Sequence, residues 1–249
     1  MFIMKIISLN VAGRANFGRD YQKRMEDIAD FLEKENADIV CLQEVTFSDE
    51  GSLADVINLK LGKPYNDIYS LMSEKYSFDH FSPTATENWG KGFFEHTGDF
   101  LTDGLAVMSR IPIKYYAPYI FTPAPKDERG RPDFRVRAAQ YIELDSGMKI
   151  SNIHLATNNN AYIQLDELVK RYKSDIMVGD FNITRDYLLD HKDIWGETYQ
   201  ESTDFQDYIS FPGDGVAYDH MMLASGYKFV AIRLVDGLSD HSAVIFEIE

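Results

Sequence analysis

Met177-Val178-Gly179-Asp180-Phe181-Asn182 is the stretch on which the reading of this chain turns. It completes an apolar run, read as a buried strand over residues 175–179, and then places an acid and an amide two residues apart. Side chains alternate along a strand, so Asp180 and Asn182 point the same way if the strand continues. Three other apolar strands end alike, in Ser8-Leu9-Asn10, Cys41-Leu42-Gln43-Glu44 and Ser151-Asn152-Ile153-His154. Alternation puts Asn10 on the face of Ser8 and Ile6, and Glu44 on the face of Leu42 and Val40. Polar tips of this kind can converge at one edge of a sheet, a common place for an active site in a layered fold.

The rest of the chain supplies the layers. Further strands are predicted over 4–9, 38–42, 104–109, 114–121, 137–144, 148–154, 218–223, 228–234 and 243–248. Tyr21, Met25, Ile28 and Leu32 recur at helical spacing and predict a helix over 19–36; a second is predicted over 160–172, with shorter helical stretches near 53–61 and 68–75. Residues 77–100 lack a clear period and carry Trp89, Phe93, Phe94 and Phe100, so they read as a long loop whose aromatics anchor it to the body or meet a ligand. Several strands are apolar on both parities, as a sheet covered on both faces requires. The order fits an α/β fold of two mixed sheets packed face to face with helices outside. With no repeat, low-complexity tract or linker, one domain over residues 1–249 is the simplest division.

Composition narrows the partners. The net charge of −15 means that the overall field repels DNA and anionic membranes, so a polyanionic substrate must be met by a bound cation or a local basic patch. Lys126 to Arg137 is such a patch, with Arg135 and Arg137 sharing parity at a strand entrance, where both could face one ligand phosphate; the alternative is a solvated loop with internal ion pairs. The single cysteine, Cys41, lies in an apolar run and reads as a small buried hydrophobe. The absence of a disulfide framework, signal peptide or membrane anchor makes a cytoplasmic protein the expectation, with no obligate protein partner evident.

The polar strand tips carry chemistry. Glu44, Asp180 and Asp240 are hard oxygen donors, and Asn10 and Asn182 are neutral ones; this set favours Mg²⁺, with Mn²⁺ as the alternative, over Zn²⁺. Asp180 could take the proton of an attacking water and Asn182 could hold that water in line. His154 and His241 could donate to oxygens that gain charge, with Asp219 behind one of them. Asp219 and His220 are adjacent and should point oppositely, which leaves Asp219 facing the site and His220 packed or solvated. Asp240-His241 beside Ser239 and Ser242 is too local for a Ser-His-Asp triad.

Asn10, Leu42-Gln43-Glu44, Gly104-Leu105-Ala106-Val107-Met108-Ser109-Arg110, Asn152-Ile153-His154-Leu155, Gly179-Asp180-Phe181-Asn182, Asp219 and Ser239-Asp240-His241 resemble, in order and over nearly the whole chain, the endonuclease/exonuclease/phosphatase superfamily. Each short motif is weak alone and the ordered set is strong. The resemblance implies a four-layered α/β sandwich with a metal between the loop edges of the two sheets. It makes Glu44 the principal metal ligand with Asn10 and Asp240 nearby. Asp180 and Asn182 would handle the water, and His154 and the His241–Asp219 pair would stabilise the pentavalent phosphate. Members that incise DNA at abasic sites carry an acid two residues after the first Asn, and here that position is Ala12. The general look is similar to the tyrosyl-DNA phosphodiesterase and lipid or sugar phosphatase branches, so nucleic acid and small or lipid phosphates both stand as substrates. The competing reading is a non-catalytic phosphate- or nucleic-acid-binding module on the same fold, which should lack at least one of Glu44, Asp180, Asn182, Asp240 and His241. None is missing.

Overall fold

A computed structural model of the chain describes residues 3–12, 21–47, 80–89, 101–121, 137–157 and 160–249. Its strands are β1 (Met4–Asn10), β2 (Ile39–Phe47), β3 (His80–Trp89), β4 (Leu101–Ser109), β5 (Ile113–Ile120), β6 (Ala138–Leu144), β7 (Lys149–His154), β8 (Ile176–Asp180), β9 (Tyr199–Glu201), β10 (Asp219–Ala224), β11 (Phe229–Val235) and β12 (Ala243–Ile248). Its helices are α1 (Tyr21–Glu35), α2 (Asn160–Tyr172) and the short α3 (Arg185–Asp190), α4 (Lys192–Trp195) and α5 (Ser202–Phe205).

Alternation along the strands builds the layers. In β1, Ile7 and Leu9 pack outward against Met25, Ile28 and Leu32 of α1, whereas Met4 and Ile6 face inward. The first sheet has the order β11-β12-β1-β2-β4-β3 and the second β5-β6-β7-β8-β10-β9. Ile6, Ile39, Cys41, Val107 and Phe246 of the first meet Ile142, Ile150, Ile176, Val178 and Met221 of the second in one buried cluster. On the far face of the second sheet, Ile153, Met177 and Met222 pack with Ala161, Leu165 and Leu168 of α2 and with Trp195. The result is a four-layered sandwich with the helices outermost. Each sheet is mixed, because β1–β2 and β7–β8 run parallel among antiparallel neighbours.

Three differences from the sequence reading have local causes. Residues 80–89 form strand β3 rather than loop; Pro83 is tolerated because, among the described residues, β3 is the outer strand of its sheet and pairs on one side only. Residues 90–100, with Phe93, Phe94 and Phe100, lie outside the described residues, as do the stretches 53–61 and 68–75. Strand β2 runs on to Phe47 instead of stopping at Leu42, because after a register shift between Leu42 and Val45 its pairing with β4 resumes at Val45↔Gly104. The small elements between Arg185 and Phe205 are too short for a hydrophobic period to reveal them.

Gly179 is what lets β8 lie against β7. It has φ +144°, and a Cβ there would stand 2.1 Å from the Ile153 carbonyl oxygen. Gly179→Ala is therefore expected to cost several kcal/mol, about 3 or more. Chemical denaturation would read this as a lower midpoint; a midpoint within experimental error of wild type would disprove the close approach.

Candidate active site

The described strand ends meet at one edge of the sandwich, and pairing register explains how. Parallel pairing sets His154 beside Asp180, and antiparallel pairing sets Asp219 opposite Asp180 on the other side. Asp180, at the end of β8, thus has an imidazole on one flank and a carboxylate on the other. From the opposite sheet, the Asn10 amide donates to Asp180 Oδ2 at 3.0 Å, while Asn10 Oδ1 accepts from Ala12 N at 2.9 Å. Asp180 Oδ1 accepts from the Asn182 backbone N–H at 2.9 Å, and the Asn182 side chain donates to the Leu155 carbonyl. His154 Nε2 lies 3.4 Å, and His241 Nε2 3.9 Å, from Asp180 Oδ2. Burial and the facing Asp219 charge push the Asp180 carboxyl up to about 6, against the opposing pull of His241, Asn10 and Arg137.

His241 precedes β12 in the first sheet, yet its Nδ1 bonds Asp219 Oδ2 of the second at 2.8 Å. Burial alone would lower the imidazole; the Asp219 carboxylate, with Asp180 and Asp240, outweighs it and holds His241 up to about 10. Asp219 is itself steadied by Ser210, whose hydroxyl donates to the same Oδ2 at 2.7 Å and accepts from Asp219 N at 2.9 Å. Nothing in the sequence pattern singles out Ser210, which lies in a segment without a period. Ser242, by contrast, bonds Asp236, and Ser239 bonds its neighbour Asp240, so neither serine addresses His241.

Glu44 reaches the site by a route that strand alternation does not supply, which corrects its predicted face. Val40, Leu42 and Val45 all pack under α1, so strict alternation would have sent Glu44 there too. Instead Glu44 has φ +54° inside the bulge and faces the cavity, with Oε1 3.9 Å from His154 Nε2. The bulge is held from the opposite sheet: Asn152 donates to the Leu42 carbonyl at 3.0 Å and accepts from the Gln43 amide at 2.8 Å.

These groups surround an open cavity of about 350 Å³ lined by Glu44, Arg137, His154, Asp180, Asn182, Asp240 and His241, with Thr157, Phe211, Asp214 and Tyr218 around them. Asn10 and Asp219 stand behind this wall as partners of Asp180 and His241. Arg137 is buried and lays its Nη1 against the His154 ring, 3.0 Å from Nδ1 and in contact with Nε2. Arg135 and the rest of the basic stretch 126–136 lie outside the described residues.

The family model for the Endonuclease/Exonuclease/phosphatase family matches residues 7–241. The chain belongs to this family. Endonuclease/exonuclease/phosphatase proteins are generally hydrolases acting on phosphate esters. An endonuclease/exonuclease/phosphatase from Beutenbergia cavernae DSM 12333 is similar at 18% identity and TM-score 0.70, covering 99% of this chain and 71% of its own. The human Nocturnin catalytic domain with bound sulfate anion is similar at 16% identity and TM-score 0.67, covering 99% and 93%. D. rerio TDP2 complexed with single strand DNA product is similar at 13% identity and TM-score 0.66, covering 99% and 99%. At such identities the likeness is one of fold. Among curated proteins, none matches the chain.

Endonuclease/exonuclease/phosphatase enzymes are typically dependent on a divalent metal, and the donor set here fits one. Among the described residues, no three His, Cys, Asp or Glu side chains stand close enough to cage an ion by themselves. Mg²⁺ does not need such a cage: it is usually bound through one or two carboxylates, keeping waters and substrate oxygens as its other ligands. Glu44 and Asp240 line one cavity and match that habit. No described helix is long and apolar enough to cross a membrane.

Proposed function

We propose that this chain, as one domain, hydrolyses a phosphodiester or phosphomonoester by attack of an activated water, with Mg²⁺ or Mn²⁺ as cofactor. The observation that carries this reading is the placement of Asp180. It is buried, its carboxyl is raised to about 6, and it stands between His154, Asn10 and His241 at the floor of an open polar cavity. A carboxylate tuned toward neutrality and within reach of a bound water is a suitable general base. Asn10 aims it, and Asn182, beside it on the same wall, orients the water. His241, kept as an imidazolium by Asp219, donates to phosphoryl oxygens that gain charge in the transition state, and His154, which accepts from Arg137 through one ring nitrogen, donates through the other from the opposite flank. Bound by Glu44 and Asp240 with Asn10 nearby, Mg²⁺ would polarise a phosphoryl oxygen and neutralise its charge. Arg137, with Arg135 ahead of it, supplies the cationic contact to a substrate phosphate that the net charge of −15 otherwise denies.

The sulfate on the Nocturnin domain and the DNA product on TDP2 are the kinds of oxyanion this cavity suits. Nucleic acid and small or lipid phosphates are both candidate substrates, and a cytoplasmic setting suits a chain with a single, buried cysteine.

The test is turnover with and without Mg²⁺ on plasmid DNA, a 5′-modified oligonucleotide, an inositol phosphate, a sugar phosphate and an aryl phosphodiester. Glu44→Gln should raise the Mg²⁺ concentration needed for half-maximal rate by about 10-fold or more and weaken Mg²⁺ binding in calorimetry equally. Unaltered Mg²⁺ binding in this variant would remove Glu44 from the metal site. Mg²⁺ and substrate binding without turnover of any ester would favour the non-catalytic reading.

A further inference from the structure

His220 follows Asp219 and, as a strand requires, points the other way, into the wholly buried space beneath Phe181. Its Nδ1 lies 2.9 Å from Glu201 Oε1, and its Nε2 lies 2.8 Å from the Ile183 carbonyl oxygen and 3.2 Å from that of Ala217. All three partners are acceptors, so both ring nitrogens must donate and the ring is an imidazolium. Burial opposes that charge, and Glu201 with the Ile183 carbonyl overcomes it and raises His220 above its ordinary value.

Glu201 is equally buried and fully satisfied. Its Oε1 also accepts from the Ser202 hydroxyl, and its Oε2 accepts from Thr203 N at 2.9 Å and from the Thr203 hydroxyl. Burial works against the carboxylate; His220 and the two hydroxyl residues prevail and hold it down to about 2. The network extends to the strand itself: Ser202 Oγ accepts from Met221 N at 3.0 Å, and the Tyr208 hydroxyl, 2.7 Å from Ser202 Oγ, donates to the Asp219 carbonyl at 2.8 Å.

A buried ion pair seldom stabilises a fold more than apolar side chains of the same volume would, so its use lies in the geometry it imposes. Here that geometry is specific. Ile183 follows Asn182, which sits at φ +52°, and Ala217 precedes Asp219 by two residues. One imidazolium therefore ties together, from beneath, the two segments that present Asn182 and Asp219. From above, Phe181 N donates to the Tyr218 carbonyl at 2.9 Å, closing the same junction. A left-handed turn at a non-glycine residue persists only where its surroundings over-determine it, and this strap does so.

We propose that His220, paired with Glu201, is the positioning residue that sets Asn182 in register with the Asp219–His241 pair. The inference rests on the hydrolytic reading of this edge, and His220 itself touches no substrate. Three variants of the full chain test it: His220→Leu, which removes both donors; His220→Gln, which keeps one; and Leu165→Ala, a loss of packing under α2 away from the edge, as the stability control. Amide hydrogen exchange at 181–183 and 217–219 should quicken by about 10-fold or more in His220→Leu and less in His220→Gln, with β1 and β12 unchanged. On the best ester of the panel, kcat should fall about 10- to 100-fold with KM within about threefold, while Leu165→Ala keeps its kcat. Exchange at 181–183 equal to wild type, or a kcat no lower than that of the control, would overturn the proposal. Should His220→Leu fail to fold, His220→Gln carries both readings. If wild type turns over no ester, the hydrolytic reading falls, and exchange at 181–183 still decides whether the strap exists.

Discussion

Asp180→Asn should reduce kcat/KM by about 10²- to 10⁴-fold, the range expected when a positioned general base is lost, while leaving the fold intact. The argument for an intact fold is electrostatic. Asp180 is wholly buried with its carboxyl raised from 3.8 to about 6, so above pH 6 the protein holds an ionised group it would rather not. A group whose folded pKa is raised contributes stability that is present below its unfolded pKa of 3.8 and lost as pH climbs through about 6. The amide removes that pH-dependent loss. Against this gain, it keeps only one acceptor for two donors, Asn10 Nδ2 and Asn182 N, and a buried donor left unsatisfied costs about 1–3 kcal/mol. The two effects offset, so denaturation at pH 8 should show a stability near wild type. The kinetic counterpart is an acidic limb in the wild-type pH profile near pH 6, absent from whatever activity Asp180→Asn retains. Near-wild-type turnover by a folded Asp180→Asn would end the case for Asp180 as the base.

The second large effect concerns the His241–Asp219 pair, and it has a sign that depends on pH. His241→Ala should lose about 10²- to 10³-fold in kcat at every pH, as removal of a transition-state donor does. Asp219→Asn should do something different. The asparagine carbonyl can still accept from His241 Nδ1 and Ser210, while its NH₂ group occupies the place of Asp219 Oδ1, which has no partner among the described residues. Geometry is thus largely kept and a charge is lost. His241, held up to about 10 in the wild type, falls back toward the ordinary imidazole range. With the protonated ring as the proposed donor, activity should survive at pH 6 and fall away by pH 8, moving the alkaline limb of the profile down by two or more units, roughly. An alkaline limb in Asp219→Asn at the wild-type pH would show that Asp219 does not control the charge on His241.

Much of the site was legible because it lies at strand ends. Apolar runs rich in Ile and Val read as buried strands; three of them end in Asn10, His154 and Asp180, while Glu44 lies in the bulge of a fourth that runs on to Phe47. Parity alone placed Asn10 with Ile6 and Ser8 and separated Asp219 from His220, and the observed faces agree. Helix α2 was equally plain, since its apolar face recurs with helical period and no tertiary constraint competes. Strand β3 escaped notice because an outer strand carrying Pro83 has neither alternation nor a continuous apolar run. Ser210 and Glu201 were missed because a buried polar residue in a short, irregular segment has the sequence signature of a surface loop.

The chain's own order of residues determined the layers and the inventory of the candidate site, because strand and helix periods are local properties that a few residues state by themselves. Only the tertiary structure decided how that inventory is used. The bulge that turns Glu44 out from under α1 depends on β4 as a partner and on Asn152 from the other sheet. Asn10 meets Asp180 across 170 positions of chain, His241 meets Asp219 across the gap between the sheets, and His220 finds Glu201 on the neighbouring strand's end. These contacts are set by register between segments distant in sequence, and register depends on how whole faces pack rather than on any residue's own preference.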